Sequence, residues 1–174
     1  MKPTSPLILH PSLYRQCELV PASNLNFCRE LLRDKAERLH AGAPEDTQCA
    51  PPAMPTPLLS TGIPLPRFES ALVSLLPRHE TTSGTVQSAR MRTVAFGRKD
   101  EFLLFCESAV SPTVSTLWLD YGATLDTDGL ARFAHMFETI ATFGDLMLVD
   151  WPWELAFPLG DSGALSAFVR RLRA

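Results

Sequence analysis

The sequence predicts an α+β fold: a mostly antiparallel sheet of about four strands with helices packed on it. Three observations lead there. Prolines crowd the first half and confine its helices to the gaps between them. Residues 91–121 are rich in strand formers broken by short polar turns. A strongly periodic helix then precedes one more apolar strand and a last helix.

Twelve of the fifteen prolines lie at or before Pro77. Each removes a backbone donor and disfavours the α conformation of its predecessor, so the first half should be loop-rich. One gap allows a helix from a Ser23 cap to about His40, with Cys28, Leu31, Leu32, Ala36 and Leu39 near one face and Gly42 at its stop. A second helix should start at Pro66 in its first turn, carry Phe68, Leu72, Val73, Leu75 and Leu76, and end before Pro77. Between them, residues 43–65 form an extended Pro-rich connection. Leu58, Leu59, Ile63 and Leu65 suggest that it lies against the domain.

In the second half, Met91–Gly97 and Glu101–Glu107 predict a hairpin around Arg98-Lys99-Asp100. Thr113–Tyr121 predicts a third strand, ended by Gly122, in which Leu117, Leu119 and Tyr121 alternate with Thr116, Trp118 and Asp120. Leu130, Phe133, Ala134, Phe137, Ile140 and Ala141 mark the clearest helix, with Asp126 and Asp128 at its start and Gly144 past its end. Leu146–Trp151 is apolar enough for a central strand. The last helix begins near Asp161-Ser162, places Leu165, Phe168, Val169 and Leu172 on one face, and has Arg170, Arg171 and Arg173 in its last turn. A length of 174 residues suits one domain, 1–174. Within it, residues 1–87 form a helical, Pro-rich N-terminal part and 88–174 a β-β-β-α-β-α core. No internal repeat is present.

No run approaches the roughly 18 apolar residues of a membrane span. Prolines interrupt the stretch Met1–His10, which lacks the apolar core of an export signal. Cys17, Cys28, Cys49 and Cys106 have neither zinc nor redox spacing. They predict free, mostly buried thiols, and the expected compartment is a reducing cytoplasm.

The chain has no Gly-rich phosphate loop, no Gly-x-Ser-x-Gly elbow and no His-Glu-x-x-His. His10, His40, His79 and His135 are scattered. His135 and Glu138 stand i, i+3 on the strong helix, where they suit a metal or an acid/base pair, or simply its polar flank. No third ligand accompanies them. Asp126-Thr127-Asp128-Gly129 has its glycine too early for a calcium loop and reads as a helix start. Two strand ends join carboxylates to aromatics: Asp120-Tyr121-Gly122 and Asp150-Trp151-Pro152-Trp153-Glu154. They fit a core corner, a protein-binding anchor, or a paired acid and base.

The net charge of −3 hides an asymmetry. From Asp100 to Asp161 there are eleven acids and a single base, Arg132, a net charge of −10. Arg90, Arg92, Arg98 and Lys99 precede the window, and Arg170, Arg171 and Arg173 follow it. The acids suit a solvated face, or a face complementary to a basic partner. They argue against a nucleic-acid ligand, which needs a basic stripe.

In size, acidity and absence of a catalytic motif, the chain resembles bacterial immunity proteins. These are small, cytoplasmic, often acidic and mutually dissimilar proteins that neutralise a toxin delivered by a neighbouring cell, many by covering the active site of a basic nuclease. The resemblance implies a non-catalytic protein-binding module that inhibits a cognate toxin. Asp120, Tyr121, Asp126, Asp128, Asp150 and Glu154 would meet it, with Trp151 or Trp153 as apolar anchor. No catalytic residue, metal, cofactor, nucleic acid or membrane enters this reading, and the oligomeric state stays open. Two alternatives stand beside it. One is a secretion chaperone or adaptor. The other is a small hydrolase or nuclease in which Asp120, Asp150 and, as a third carboxylate, Glu138 hold a divalent metal.

Overall fold

The computed structural model describes residues 7–9, 15–42, 52–83, 92–108, 112–122 and 124–173. It is an α+β structure with four helices and one extensive, largely antiparallel sheet. In chain order the elements are β1 (Leu7–Leu9), β2 (Cys17–Pro21), α1 (Leu25–His40), α2 (Leu65–Val73), β3 (Arg78–Ser83), β4 (Arg92–Arg98), β5 (Phe102–Ser108), β6 (Val114–Tyr121), α3 (Thr127–Ala141), β7 (Leu146–Asp150), β8 (Leu155–Pro158) and α4 (Ser162–Arg171).

The sheet runs β1-β3-β4-β5-β6-β2-β7-β8. Every pair is antiparallel except β1 with β3 at one edge. The expected count of about four strands is therefore too low, because β1, β2, β3 and β8 escape the pattern. The strand β2 lies between β6 and β7, antiparallel to both. Thus β6, α3 and β7 form a split β-α-β unit with a strand from the N-terminal part threaded through it.

The helices do not share one face. From α2, α3 and α4, Phe68, Leu72, Phe133, Phe137, Ile140 and Phe168 join the main core with Leu19, Phe96, Leu104, Leu117 and Leu148 of the sheet. Helix α1 packs on the opposite face, where Cys28, Leu25 and Phe27 meet Val20, Met147 and Val149. Beside it on that face, Phe105 and Trp118 stack at 5.1 Å, with Ala95 and Leu103 around them.

Local chemistry explains the element ends. Asp126 caps α3 by accepting from the Gly129 N–H at 2.7 Å, and Asp161 caps α4 through Ala164 at 2.9 Å. Ser23 does not cap α1: it sits in a 3-10 turn, Ala22–Asn24, and Asn24 takes the cap position without a side-chain capping bond. Asn24 is buried and binds the Pro-rich segment instead. Its amide donates to Thr56 O at 2.8 Å, and its carbonyl accepts from Thr56 N at 2.9 Å. Farther along, Val114 N donates to Ile63 O at 3.0 Å and Leu65 N to Pro112 O at 2.8 Å. Residues 52–65 therefore lie against the domain, as their apolar pattern predicts. Residues 43–51, including Cys49, and Met91 are outside the described residues. Cys17, Cys28 and Cys106 are buried.

Candidate functional site

The sheet has a notch at one end because three strands stop unevenly. The strands β6 and β7 both run towards this end, and β2 starts between them. Cys17 is the first β2 residue paired with both neighbours, opposite Leu119 on one side and Asp150 on the other. Before it, Gln16 still accepts from Trp151 N at 3.0 Å, so the chain stays with β7 and leaves β6. Asp120 and Tyr121 then have no β2 partner. The opening has a volume of about 300 Å³. Gln16 and Cys17 form its floor side, Asp120 and Tyr121 one wall, and Asp150, Pro152 and Trp153 the other.

Backbone conformation marks the same place. Among the described residues, the two non-glycine residues with positive φ are Arg15 (58°) and Glu154 (54°). One precedes Gln16 and the other follows Trp153. A side chain in this left-handed region costs about 1 kcal/mol, so surrounding contacts must hold both turns.

Those contacts are polar. Asp150 is 1% exposed. Its Oδ2 accepts from the Tyr121 hydroxyl, and its Oδ1 accepts from Trp153 N at 2.8 Å. Burial pushes the Asp150 carboxyl above the usual carboxylate range, against the lowering effect of those bonds. Burial also raises the Cys17 thiol and the Tyr121 phenol, and the Asp150 charge adds to both shifts. The Cys17 thiol is thus held in its neutral form. Asp120 is half-buried and raised by desolvation, and its carboxylate makes no hydrogen bond or ion pair with a described residue.

Trp151 and Trp153 diverge. The Trp151 ring joins the α1 face, and its Nε1 donates to Glu18 Oε1 at 3.1 Å. Glu18 is 1% exposed and also receives Arg15 Nη2 at 2.7 Å. Burial raises its carboxyl, and Arg15 opposes that shift. Trp153 instead rests edge-on against Tyr121 (5.8 Å) and Phe168 (6.0 Å) and is 37% exposed at the notch. So Trp151 is the core corner, and Trp153 remains the surface aromatic.

Of the eight residues singled out in the sequence, Asp120, Tyr121, Asp150 and Trp153 line the notch. Asp126 and Asp128 lie at the start of α3, which follows β6 at the same end of the sheet. Glu154 sits beyond Trp153, with Lys35 Nζ at 3.8 Å from its Oε1. Asp120 and Asp150 share the notch, but Glu138 is exposed on α3 and contacts His135 at 3.2 Å. Among the described residues, no three His, Cys, Asp or Glu side chains come together as a metal site.

Gln16, Cys17, Glu18 and Lys35 are absent from the sequence-based set. Lys35 Nζ donates to Trp151 O at 3.0 Å and ties α1 to the turn after β7. The available signal was the short run Cys17-Glu18-Leu19-Val20 before Pro21, but its glutamate breaks the apolar pattern of a central strand. Among the described residues, no helix is long and apolar enough to cross a membrane. No family model, curated protein or solved structure matches this chain.

Proposed function

We propose that this protein is a non-catalytic binding module of the immunity-protein kind, which acts in the cytoplasm and inhibits a basic, nuclease-type toxin domain through the notched end of its sheet. The observation that supports this reading is topological. Because β6 and β7 both end here and α3 starts here, Asp120, Asp126, Asp128, Asp150 and Glu154 collect at one end of the sheet around an exposed tryptophan. Acids around an aromatic anchor suit a basic protein surface: the field steers the encounter and the ring supplies apolar contact.

The charge is partly answered within the fold. Glu101 pairs with Arg132 at 2.5 Å, and the end of α4 returns to this region through the backbone bond from Leu125 N to Leu172 O. What remains outward-facing is chiefly Asp126 and Asp128, with the Asp120 carboxylate on the opposite face of β6.

The test is co-purification with the product of the adjacent open reading frame. A stable complex should form and weaken as salt rises, since exposed charges are screened over roughly 8 Å at physiological ionic strength. The Asp126→Lys/Asp128→Lys double variant should slow association by tenfold or more. The absence of a complex, or binding indifferent to both salt and charge reversal, would overturn the reading.

A further inference from the structure

We infer that the notch between the ends of β6 and β7 is a receptor for one uncharged aromatic side chain of the protein partner, seated against Tyr121 and Trp153. The inference deepens the binding function above and rests on it for the source of that ring.

Strand register decides which side chains face the cavity. Cys17 lies opposite Leu119 on one side and Asp150 on the other, so these three project from the same face of the sheet. Tyr121, two residues beyond Leu119, shares that face and packs against the main core. Asp120 projects from the other face, that of Leu103 and Trp118, so its carboxylate is turned away from Tyr121.

The surfaces that remain are apolar or already satisfied. Leu119, Pro152 and the rings of Tyr121 and Trp153 supply hydrocarbon. Burial and the Asp150 charge hold the Cys17 thiol neutral. Asp150 accepts from the Tyr121 hydroxyl and from the Trp153 N–H, and the Lys35 charge already answers its own. A cationic ligand would gain little there and would lose its own hydration. A neutral ring avoids that cost. Asp150 is already only 1% exposed, so covering the cavity takes little further water from it.

Size and shape favour a ring. The volume of about 300 Å³ stands at the lower end of ligand pockets and suits one side chain. The Tyr121 and Trp153 rings stand 81° apart with centroids at 5.8 Å, so an incoming ring can pack edge-to-face on one and offset against the other. These walls are set before binding. The Asp150 bond to Trp153 N, the Lys35 bond to Trp151 O and the Lys35–Glu154 pair fix the turn that carries Trp153. Exposed Asp126, Asp128 and Glu154 stand at the same end of the sheet, which places the partner's ring on a basic surface.

The experiment titrates the full chain, labelled with ¹⁵N, with Nα-acetyl-phenylalanine-N-methylamide. It follows the Trp153 indole and the Cys17 and Tyr121 amide signals. The leucine and lysine analogues serve as controls. The phenylalanine probe should give saturable shifts with a dissociation constant on the order of millimolar. The leucine analogue should bind about threefold more weakly, and the lysine analogue about tenfold or more. Trp153→Leu should weaken phenylalanine binding about fivefold, Trp153→Phe should restore most of it, and Glu138→Gln should leave it unchanged. Urea unfolding checks that the variants remain folded. Linear, non-saturating shifts, equal binding of the leucine or lysine analogue, or full binding by folded Trp153→Leu would overturn the inference. Saturable phenylalanine binding without a protein complex would defeat the proposed function and leave the notch assignment standing. A protein complex whose affinity is unmoved by folded Trp153→Leu would do the reverse.

Discussion

The notch and the start of α3 occupy the same end of the sheet and are both acidic, but their carboxylates are used differently. At the start of α3, Asp126 accepts from the Gly129 N–H, and Glu101 receives Arg132 through both oxygens at 3.0 and 2.5 Å. Those acids stabilise the corner that carries them. At the notch, Asp150 is equally committed, to Tyr121 and to Trp153 N, but the Asp120 carboxylate, on the opposite face of β6, is not. A charge count gives these residues the same weight. Their partners separate them: a carboxylate whose lone pairs are already filled shapes a surface, and one left open can bind.

The sharpest way to break this contrast is to remove what supports both regions. The Phe168 ring is 2% exposed and lies within 6.4 Å of the rings of Tyr121, Phe133, Phe137, Trp153 and Phe157. Phe168→Ala should cost about 4 kcal/mol, because a buried aromatic leaves a cavity that its neighbours only partly fill. The melting temperature should drop by about 10 °C. Trp153→Leu should cost much less, since that ring is partly in water. Equal losses in calorimetry would mean that Trp153 belongs to the core.

Asp150 comes next. Asp150→Ala strands the Tyr121 hydroxyl and the Trp153 N–H in a poorly hydrated place and should cost about 3 kcal/mol. Asp150→Asn keeps an acceptor there and should cost less. Their pH dependence separates charge from hydrogen bonding. The folded-state pKa of Asp150 is raised, chiefly by burial, so the folded protein holds this proton more tightly than the unfolded chain. Its contribution is fully present below the unfolded pKa and is lost as pH rises through the folded one. Asp120 and Glu18 are raised too and act in the same direction. Wild-type stability in urea should therefore decline from about pH 4 towards neutrality, and Asp150→Asn should flatten part of that decline. An unchanged slope would show that Asp150 does not titrate in this window.

Patterning finds β4, β5, β6, β7 and all four helices because each has either a clean period or a cap. The strand β3, Arg78–Ser83, is too polar at Arg78-His79-Glu80 to look like part of a sheet. The strand β8 is four residues long and ends in Pro158, which only an edge strand tolerates. The strand β2 is the costly omission, because it creates the notch. It is buried along its whole length, yet contains Glu18, whose charge is answered by Arg15 and by Trp151 from 133 residues away. No local pattern reports a partner so distant. The sequence does expose Asp120, Tyr121, Asp150 and Trp153 as carboxylates and aromatics at strand ends. It cannot rank them, since the ranking depends on which oxygens the fold has already filled.

The smallest effects test that ranking directly. Asp126→Ala removes the N-cap of α3 and should cost about 1 kcal/mol, as capping carboxylates generally contribute. Asp120→Asn should change stability by no more than about 0.5 kcal/mol, since it breaks no bond to a described residue and relieves the burial of a charge. Affinity for the protein partner should follow the opposite order, with Asp120→Asn the larger loss and Asp126→Ala, which removes one of two steering charges, the smaller. Chemical denaturation of the two variants, set beside their affinities for one probe, therefore gives a crossed pattern if the two acids do different work. A parallel pattern, in which the less stable variant is also the weaker binder, would mean that both residues act through the fold alone. The distinction between an acid that builds the corner and an acid that waits for a cation would then fail.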